Sequence, residues 1–270
     1  MSTSTSTFVA TDPEGYEPYV GRCSRRLAPL FIELAGVTAH ERLLDVGCGT
    51  GNLTRALGAA QAVVTGIDAS APYIAYARQH TQDPGVTFEV GDARSLPYPD
   101  GTFDRTLSML ALDVIPEAAR ALAEMRRVTR PGGTVAVLVN DFRCGWAPFS
   151  MLVDTAAVLD PRASALRDRV MSEPMRWPGG LAALFRTAGF AEVTEGQISV
   201  PFEYASFADY WSSFLTGQGS TGSYVVSLAE APRQELERHV RLAYLCGMPD
   251  GPRGFTTWCY VVRSAVPAGA

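Results

Sequence analysis

The chain has 270 residues, 47% hydrophobic and 19% charged, which is ordinary for a globular protein with one sizeable core. Its formal net charge is -5 and no basic run is longer than two residues, so we expect no nucleic-acid partner. All 23 basic residues are arginine, and the absence of lysine excludes pyridoxal-phosphate enzymes and P-loop nucleotide sites.

The first residues are rich in serine and threonine and carry neither the basic start nor the apolar stretch of a signal peptide. We predict a disordered tail over residues 1–14 and a cytoplasmic location. No apolar run approaches the length of a membrane span. The five cysteines are odd in number and lack metal-ligand spacing, which favours free thiols and no metal site. The sequence does not predict an oligomeric state.

A single domain is predicted over residues 15–270. It opens with a helix at residues 16–35, whose apolar face is formed by Leu27, Leu30, Phe31 and Leu34. Short β-rich runs then alternate with amphipathic stretches. The predicted strands lie at residues 42–46, 62–67, 86–90, 103–109 and 133–139, with helices between them at 52–60, 71–80 and 117–129. This alternation predicts an α/β fold with a Rossmann-like, doubly wound parallel sheet.

The alternation breaks after Val139. A mixed, mostly helical insertion is predicted first, then a helix, a strand, a second helical region with a glycine-rich interruption at residues 216–223, and a last strand. In chain order these segments are residues 140–178, 179–188, 192–200, 206–245 and 254–262. We therefore predict a core at residues 36–140 and a helical substrate cap at residues 141–178 and 201–253.

A glycine-rich loop separates the first predicted strand from the next helix, and it reads Asp45-Val46-Gly47-Cys48-Gly49-Thr50-Gly51. Glycines there let the backbone turn tightly and let a ligand lie against it. The spacing is G-x-G-x-G, whereas a dinucleotide pyrophosphate is usually held by G-x-G-x-x-G. The preceding acid, Asp45, favours a cationic ligand such as the sulfonium and ammonium groups of S-adenosylmethionine.

Two further acids follow the next two predicted strands. Asp68 lies about 20 residues past the first glycine, where a carboxylate accepts hydrogen bonds from ribose hydroxyls. Asp92 could accept from an adenine amino group, and the small Ala93 leaves room for the ring. Without a ligand, the Asp68 carboxylate is expected to be solvated. The alternative interpretation is that all three acids are turn residues or helix caps.

The glycine loop and its acids resemble the class I S-adenosylmethionine-dependent methyltransferases. The likeness is greatest to the small-molecule branch that includes ubiquinone- and menaquinone-biosynthesis-type enzymes. The matching segments are residues 43–54, 64–70, 90–97, 103–104 and 127–133, with weaker matches at 16–29 and 179–190. The resemblance implies a seven-stranded sheet whose last strand runs antiparallel, and an enzyme that uses S-adenosylmethionine.

The resemblance also implies which residues bind the cofactor. In the core these are Gly47, Gly49, Asp68, Asp92, Ala93 and, near the methionine portion, Leu110. Asp45 and Gly51 are further cofactor-binding candidates from the glycine loop itself. The first helix would close over the ligand with Tyr16, Tyr19 and Arg22. Arg22 would pair with the methionine carboxylate, or alternatively with a surface acid.

The acceptor side is less specific in sequence. Methyl transfer from a sulfonium depends mainly on alignment, and the three histidines do not follow the fourth or fifth strand. Asp113 and Asp141 do follow those strands, and we assign them as candidate catalytic residues that contact the acceptor. The predicted function is methyl transfer to a small apolar or aromatic molecule. The alternatives are a non-catalytic S-adenosylmethionine-binding module, a nicotinamide oxidoreductase and a nucleobase methyltransferase.

Overall fold

A single sheet of seven strands organises the fold, in a computed structural model that describes residues 8, 10, 12–142 and 145–268. The strand order is β3-β2-β1-β4-β5-β7-β6. The strands are β1 (Arg42–Val46), β2 (Val63–Asp68), β3 (Val86–Val90), β4 (Phe103–Met109), β5 (Thr129–Asn140), β6 (Thr194–Tyr204) and β7 (Arg253–Ala265). Only β7 runs antiparallel to its neighbours, which confirms the predicted sheet.

The central strands form because they are apolar on both faces. Leu43, Leu44 and Val46 of β1 are fully buried, as is most of the run from Val135 to Val139 in β5. Parallel strands covered by helices on both sides have this nearly continuous apolar pattern. β5 begins at Thr129, earlier than the predicted residue 133, because its pairing with β4 shifts register between Phe103 and Arg105.

Eleven α-helices surround the described part of the sheet. They are α1 (Pro13–Tyr16), α2 (Arg22–Ala35), α3 (Asn52–Ala59), α4 (Ala71–Gln79), α5 (Ala118–Val128), α6 (Ala147–Leu159), α7 (Pro161–Met171), α8 (Gly180–Thr187), α9 (Phe207–Leu215), α10 (Gly219–Ser227) and α11 (Glu230–Leu245). A π-helical turn, Glu17–Gly21, joins α1 to α2, and short 3-10 helices lie at Leu112–Val114 and Pro174–Arg176. None of the described helices is long and apolar enough to cross a membrane.

The predicted apolar face of α2 is wrong in part. Leu27 and Phe31 are fully buried, but Leu30 and Leu34 remain 38% and 41% exposed. The buried stripe instead consists of Cys23, Leu27, Ala28, Phe31 and Ala35. Small residues complete this stripe at helical spacing. A prediction based only on the large apolar side chains therefore placed the buried face at the wrong angle around the helix.

The cap is built from α6, α7 and α9–α11, which pack on one another. An aromatic stripe on α9 forms much of its core, because Phe207, Tyr210, Trp211 and Phe214 are all buried. The glycine-rich interruption is shorter than predicted, since α10 already begins at Gly219.

The start of the chain is only partly described. Residues 1–7, 9 and 11 of the predicted tail lie outside the described residues, as does Cys144. The described chain is helical from Pro13 to Ala35. Phe8 contacts the rings of Tyr16 and Tyr19, at centroid distances of 6.2 and 6.4 Å. This part of the predicted tail is therefore packed against the first helices.

Candidate active site

A cavity of about 440 Å³ lies at the carboxyl edge of the sheet, beside the point between β1 and β4 where the strand order reverses. Open α/β sheets bind their ligands at this position. Its walls come from the loops after β1 to β4 and from Phe8, Ala10 and Tyr73. The strand-end lining residues are Gly47, Ile67, Asp68, Ala69, Ser70, Gly91, Asp92, Ala93, Leu110 and Ala111.

Gly47 begins the glycine loop at this cavity and cannot be replaced without strain. Its φ is +74°, a left-handed conformation that side chains disfavour. A Cβ atom at Gly47 would lie 2.4 Å from the Cβ of Ala111, in the segment after β4. The amide of Gly47 donates to the carbonyl of Ile67 at 2.8 Å. The loop therefore depends on glycine both for its turn and for its approach to the neighbouring segment.

Asp68 ties the glycine loop to the end of β2. Its Oδ2 accepts from the amide of Gly49 at 2.9 Å, and its Oδ1 accepts from the amide of Ser70 at 2.8 Å. Burial raises the pKa of Asp68 above its usual value, although the two amides lower it in part. The expectation of a solvated, unengaged carboxylate is wrong, because the residue organises the loop while it also lines the cavity.

Asp92 and Ala93 lie in the cavity wall, where the sequence placed them. The backbone amide and guanidinium of Arg94 donate to the Asp92 carboxylate at 2.8–3.1 Å. This pairing holds the pKa of Asp92 below its usual range. Asp92 therefore stays ionised and fixed in orientation at the rim of the cavity.

Asp45 is corrected from a ligand contact to a structural anchor. It is 1% exposed, does not line the cavity, and accepts from the Thr54 hydroxyl of α3 at 2.6 Å. Burial raises the pKa of Asp45 to about 7. Gly49 and Gly51 also lie outside the cavity wall. Both have a positive φ, so they allow the turn of the loop without lining the cavity.

The first helices supply fewer cofactor contacts than the resemblance implies. The Tyr16 ring lies outside the wall, 5.5 Å from the ring of Tyr73, which does line the cavity. Tyr19 lines a second cavity instead. Arg22 faces α9, where it forms a bidentate pair with Asp209 at 2.8 and 3.1 Å. This pairing fits the surface-pair alternative for Arg22, and its assignment to a methionine carboxylate stays a prediction.

The second cavity has a volume of about 780 Å³ and adjoins the first. Both cavities are lined by Phe8, Leu110, Val114 and Ile115. Leu110 has a φ of +58°, which is unusual for a branched side chain. Its amide donates to the carbonyl of Leu138 at 2.8 Å, which helps to hold that conformation at the junction.

Asp113 lines the second cavity, as predicted for an acceptor contact, but it has a partner that the sequence did not reveal. Arg176 donates from Nε to Asp113 Oδ2 at 2.7 Å and from Nη1 to the carbonyl of Val170 at 3.1 Å. The Asp113 side chain is only 2% exposed, and its Oδ1 has no hydrogen-bond partner among the described residues. Arg176 lies 63 positions away in a short 3-10 helix, so no local pattern pairs the two.

Asp141 does not line this cavity, and its assignment as an acceptor contact stays a prediction. Its Oδ2 accepts from the Tyr260 hydroxyl of β7 at 2.7 Å, away from the cavity wall. The neighbouring Asn140 lines the cavity instead. Side chains alternate between the two faces at the end of a strand, so neighbouring residues point to opposite faces.

The remaining wall of the second cavity is partly aromatic. Phe142, Trp146 and Phe149 form a connected cluster, with ring centroids 4.8 to 6.0 Å apart. All three line the cavity. Tyr224 faces Asp160 and lies outside the wall. Within the described residues no group of His, Cys, Asp and Glu side chains could hold a metal ion.

Comparison with known proteins gives consistent matches. Residues 44–137 match the family model described as methyltransferase domain. The chain is 34% identical over 166 residues to phosphatidylethanolamine N-methyltransferase of Cereibacter sphaeroides, covering 54% of this chain and 78% of that one. It is 34% identical over 173 residues to demethylmenaquinone methyltransferase of Beutenbergia cavernae, covering 60% and 70%. The crystal structure of YcgJ from Bacillus superposes with a TM-score of 0.60 at 18% identity, covering 90% and 99%.

Proposed function

This chain belongs to the class I S-adenosylmethionine-dependent methyltransferases, and from that premise we propose that it methylates a small molecule held in the second cavity. The observation that carries the proposal is the junction between the two cavities. Leu110, Val114 and Ile115 line both, so a cofactor in one lies directly beside an acceptor in the other. Such contact is what a direct transfer between two bound molecules requires.

The residues of the first cavity fit the cofactor. Asp68 would accept from the ribose hydroxyls, Asp92 and Ala93 would hold the adenine, and Gly47 would let the ligand lie against the loop. Carboxylates at Asp68 and Asp92 also attract a ligand with sulfonium and ammonium groups. Leu110 would contact the methionine portion at the junction. When bound, S-adenosylmethionine supplies a methyl group on a positively charged sulfur. A nucleophile attacks the methyl carbon in line with the carbon–sulfur bond, and the sulfur is the leaving group.

The chain's contribution to the reaction is mainly alignment and exclusion of water. The residues that line both cavities, Phe8, Leu110, Val114 and Ile115, are apolar, so the reacting atoms would meet at this junction with little water between them. The acceptor atom gains the methyl group, the sulfur keeps the electron pair of the broken bond, and the acceptor loses a proton where it carries one. Asp113 is the acid placed in the acceptor cavity to receive a hydrogen bond from such a group.

A small molecule suits the second cavity. Its volume of about 780 Å³ falls within the range of about 300–1,000 Å³ that ligand pockets usually occupy. Its aromatic wall at Phe142, Trp146 and Phe149 favours an apolar or aromatic body on the acceptor. The two relatives are named for different acceptors, so the chemistry of this cavity is the better guide to the acceptor of this chain.

The proposed location is the cytoplasm. Among the described residues Cys23, Cys48, Cys246 and Cys259 are free thiols. Free cysteines are typical of a reducing compartment, which supports this location.

A product screen tests the proposal. Purified protein is incubated with methyl-labelled S-adenosylmethionine and a metabolite extract, and the label is followed in low-mass, protein and nucleic-acid fractions. We expect label in a low-mass product distinct from S-adenosylmethionine, and none in the protein or nucleic-acid fractions. Label confined to the protein or nucleic-acid fraction would contradict a small-molecule acceptor, and no transfer to any fraction would contradict the choice of this extract as the acceptor source.

A further inference from the structure

Three polar side chains that line the acceptor cavity have buried atoms without hydrogen-bond partners, namely the donor Trp146 Nε1 and two acceptor oxygens. Asp113 has an Oδ1 atom without a hydrogen-bond partner in the described structure. Asn140 is 6% exposed, and its Oδ1 is likewise unpartnered. Both residues line the cavity of about 780 Å³. Buried polar atoms are nearly always hydrogen-bonded, so the two orphan acceptor oxygens in one cavity wall indicate a ligand that supplies the missing donors.

The charge of Asp113 is already compensated. Arg176 donates to its Oδ2 at 2.7 Å, and both side chains are at least nine-tenths buried. The Arg176 guanidinium also lies 4.7 Å from the centroid of the Phe142 ring. A cationic ligand at Asp113 would add a second positive charge beside Arg176, which costs free energy in a poorly solvated site. A neutral donor satisfies Oδ1 without that cost.

The other charged side chains that line the second cavity form no ion pair with Asp113 or Arg176 within the described residues. Glu117 is engaged by Arg94 and Arg120 at the exposed rim. Arg169 in the last turn of α7 and Glu173 just beyond it are of opposite sign, and Arg169 is exposed to water. The Asp113 and Asn140 end of the cavity therefore favours a neutral ligand.

We propose that this cavity recognises an uncharged acceptor with hydroxyl groups, which it binds through the free oxygen of Asp113 and the side-chain amide of Asn140. The hydroxyl donates to the carboxylate oxygen, and the amide can both accept from and donate to a hydroxyl. The apolar body of the acceptor lies on the Phe142, Trp146 and Phe149 cluster. Arg176 is a positioning residue that holds Asp113. This inference rests on the proposed function, because it assigns the second cavity to the acceptor.

Four matched probes test the inference on protein saturated with S-adenosylhomocysteine. They are 2-naphthylmethanol, its methyl ether, 2-naphthylmethylamine, which is a cation at neutral pH, and 2-naphthoate. We expect the alcohol to bind about tenfold more tightly than the ether, which corresponds to one hydrogen bond of about 1.4 kcal/mol. The cation and the anion should bind more weakly than the alcohol. Tighter binding of the amine or the carboxylate, equal binding of all four, or binding of none overturns the inference.

Two variants assign the preference to the named residues. Asn140→Leu removes the amide and leaves the ion pair in place. The double variant Asp113→Leu/Arg176→Met removes both charges together, because loss of one partner alone would leave the other buried and unpaired. Each should reduce the preference for the alcohol over the ether to about twofold or less. Retention of the full preference in both variants overturns the inference.

The cofactor titration separates the two proposals. S-adenosylhomocysteine should bind both variants as it binds the wild type, since neither change touches the first cavity. Failure of the wild type itself to bind S-adenosylhomocysteine would overturn the proposed function, and the inference with it. Normal cofactor binding with no alcohol preference would overturn the inference alone.

Discussion

The two cavities differ in how the chain builds them. The first is made mainly from loops that follow β1 to β4, each of which contributes residues within a few positions of a strand end, and Phe8, Ala10 and Tyr73 complete its wall. The second is made from the turn after β4, the end of β5, and three cap helices that come from distant parts of the sequence. On the proposed assignment of the two cavities, cofactor binding depends on the strand ends, whereas acceptor binding depends on how the cap packs.

The largest effect is expected where the backbone itself forms the first cavity. Gly47→Ala places a Cβ 2.4 Å from the Ala111 Cβ at a φ of +74°, so the loop has to move. We expect S-adenosylmethionine binding to fall below detection and stability to drop by about 3 kcal/mol. Calorimetry and denaturant unfolding measure both.

Gly196→Ala is the matched control for this change. Gly196 lies in β6, and no atom is found within 4 Å of a Cβ built there. Cofactor affinity should be unchanged. Wild-type affinity in Gly47→Ala would show that the glycine loop does not set the cofactor cavity, and the contrast between the two cavities would lose its basis.

Asp68 is the side chain on which the first cavity depends most. Asp68→Ala removes the acceptor of the Gly49 and Ser70 amides together with the proposed ribose acceptor. We expect an affinity loss of roughly 10²-fold to 10³-fold, and a stability loss of about 1–3 kcal/mol from the unpaired amides. Asp68→Asn should lose less of both, since an amide oxygen still accepts.

Asp168→Ala, an exposed acid on α7, is the control for Asp68. It should alter neither quantity. Cofactor titrations and unfolding curves for all three variants make the comparison. Near-normal affinity in Asp68→Ala would mean that the ribose is held elsewhere and that Asp68 only shapes the loop.

Asp45, which anchors the glycine loop of the first cavity, should make the stability of the protein depend on pH. Burial raises its pKa to about 7, well above the value of about 3.9 expected in the unfolded chain. Between these values the folded state holds more protons, so the free energy of unfolding should fall as pH rises from about 4 to 7. One proton limits the slope to about 1.4 kcal/mol per pH unit. Asp68, with its raised pKa, contributes in the same direction.

The measurement is denaturant unfolding of the ligand-free protein at pH 5, 6 and 7. Asp45→Asn keeps an oxygen for the Thr54 hydroxyl but cannot ionise, so it should reduce the slope. Acids with lowered pKa values, such as Asp92 and Asp209, titrate below this window and do not mask the effect. An unchanged slope in Asp45→Asn would remove Asp45 as its cause.

The smallest effect is expected at Arg22, outside both cavities. Arg22→Met removes the pair with Asp209 but keeps an apolar stem near the Tyr204 ring. The pair is partly exposed, so the stability loss should be about 1 kcal/mol or less. Cofactor affinity should stay within about twofold of the wild type. A loss of tenfold or more in a cofactor titration would restore Arg22 as a cofactor ligand.

The residues that line the first cavity were easier to predict from the sequence than those that line the second. Asp68 and Asp92 were found because strand ends in a parallel sheet meet at one edge, and strands can be located from apolar runs. Gly47 was found from the loop spacing. The pairing of Arg22 with Asp209 was not predicted, because the two residues lie 187 positions apart. No local pattern reports such a contact.

The acceptor wall was the harder part to predict. Asp141 was chosen and Asn140 overlooked because the sequence marks the end of β5 but not which face each residue takes. Arg176 and Phe8 were missed because their position depends on the packing of the cap and of the chain start over the sheet. Tertiary contacts between distant segments therefore set the half of the site that selects the acceptor.

A crystal structure of the protein with S-adenosylhomocysteine tests the central claim most directly. The account predicts the nucleoside in the cavity of about 440 Å³, with the ribose on Asp68, the adenine beside Asp92 and Ala93, and the sulfur facing Leu110 and the second cavity. A nucleoside bound elsewhere, or a sulfur that points away from the second cavity, would contradict it.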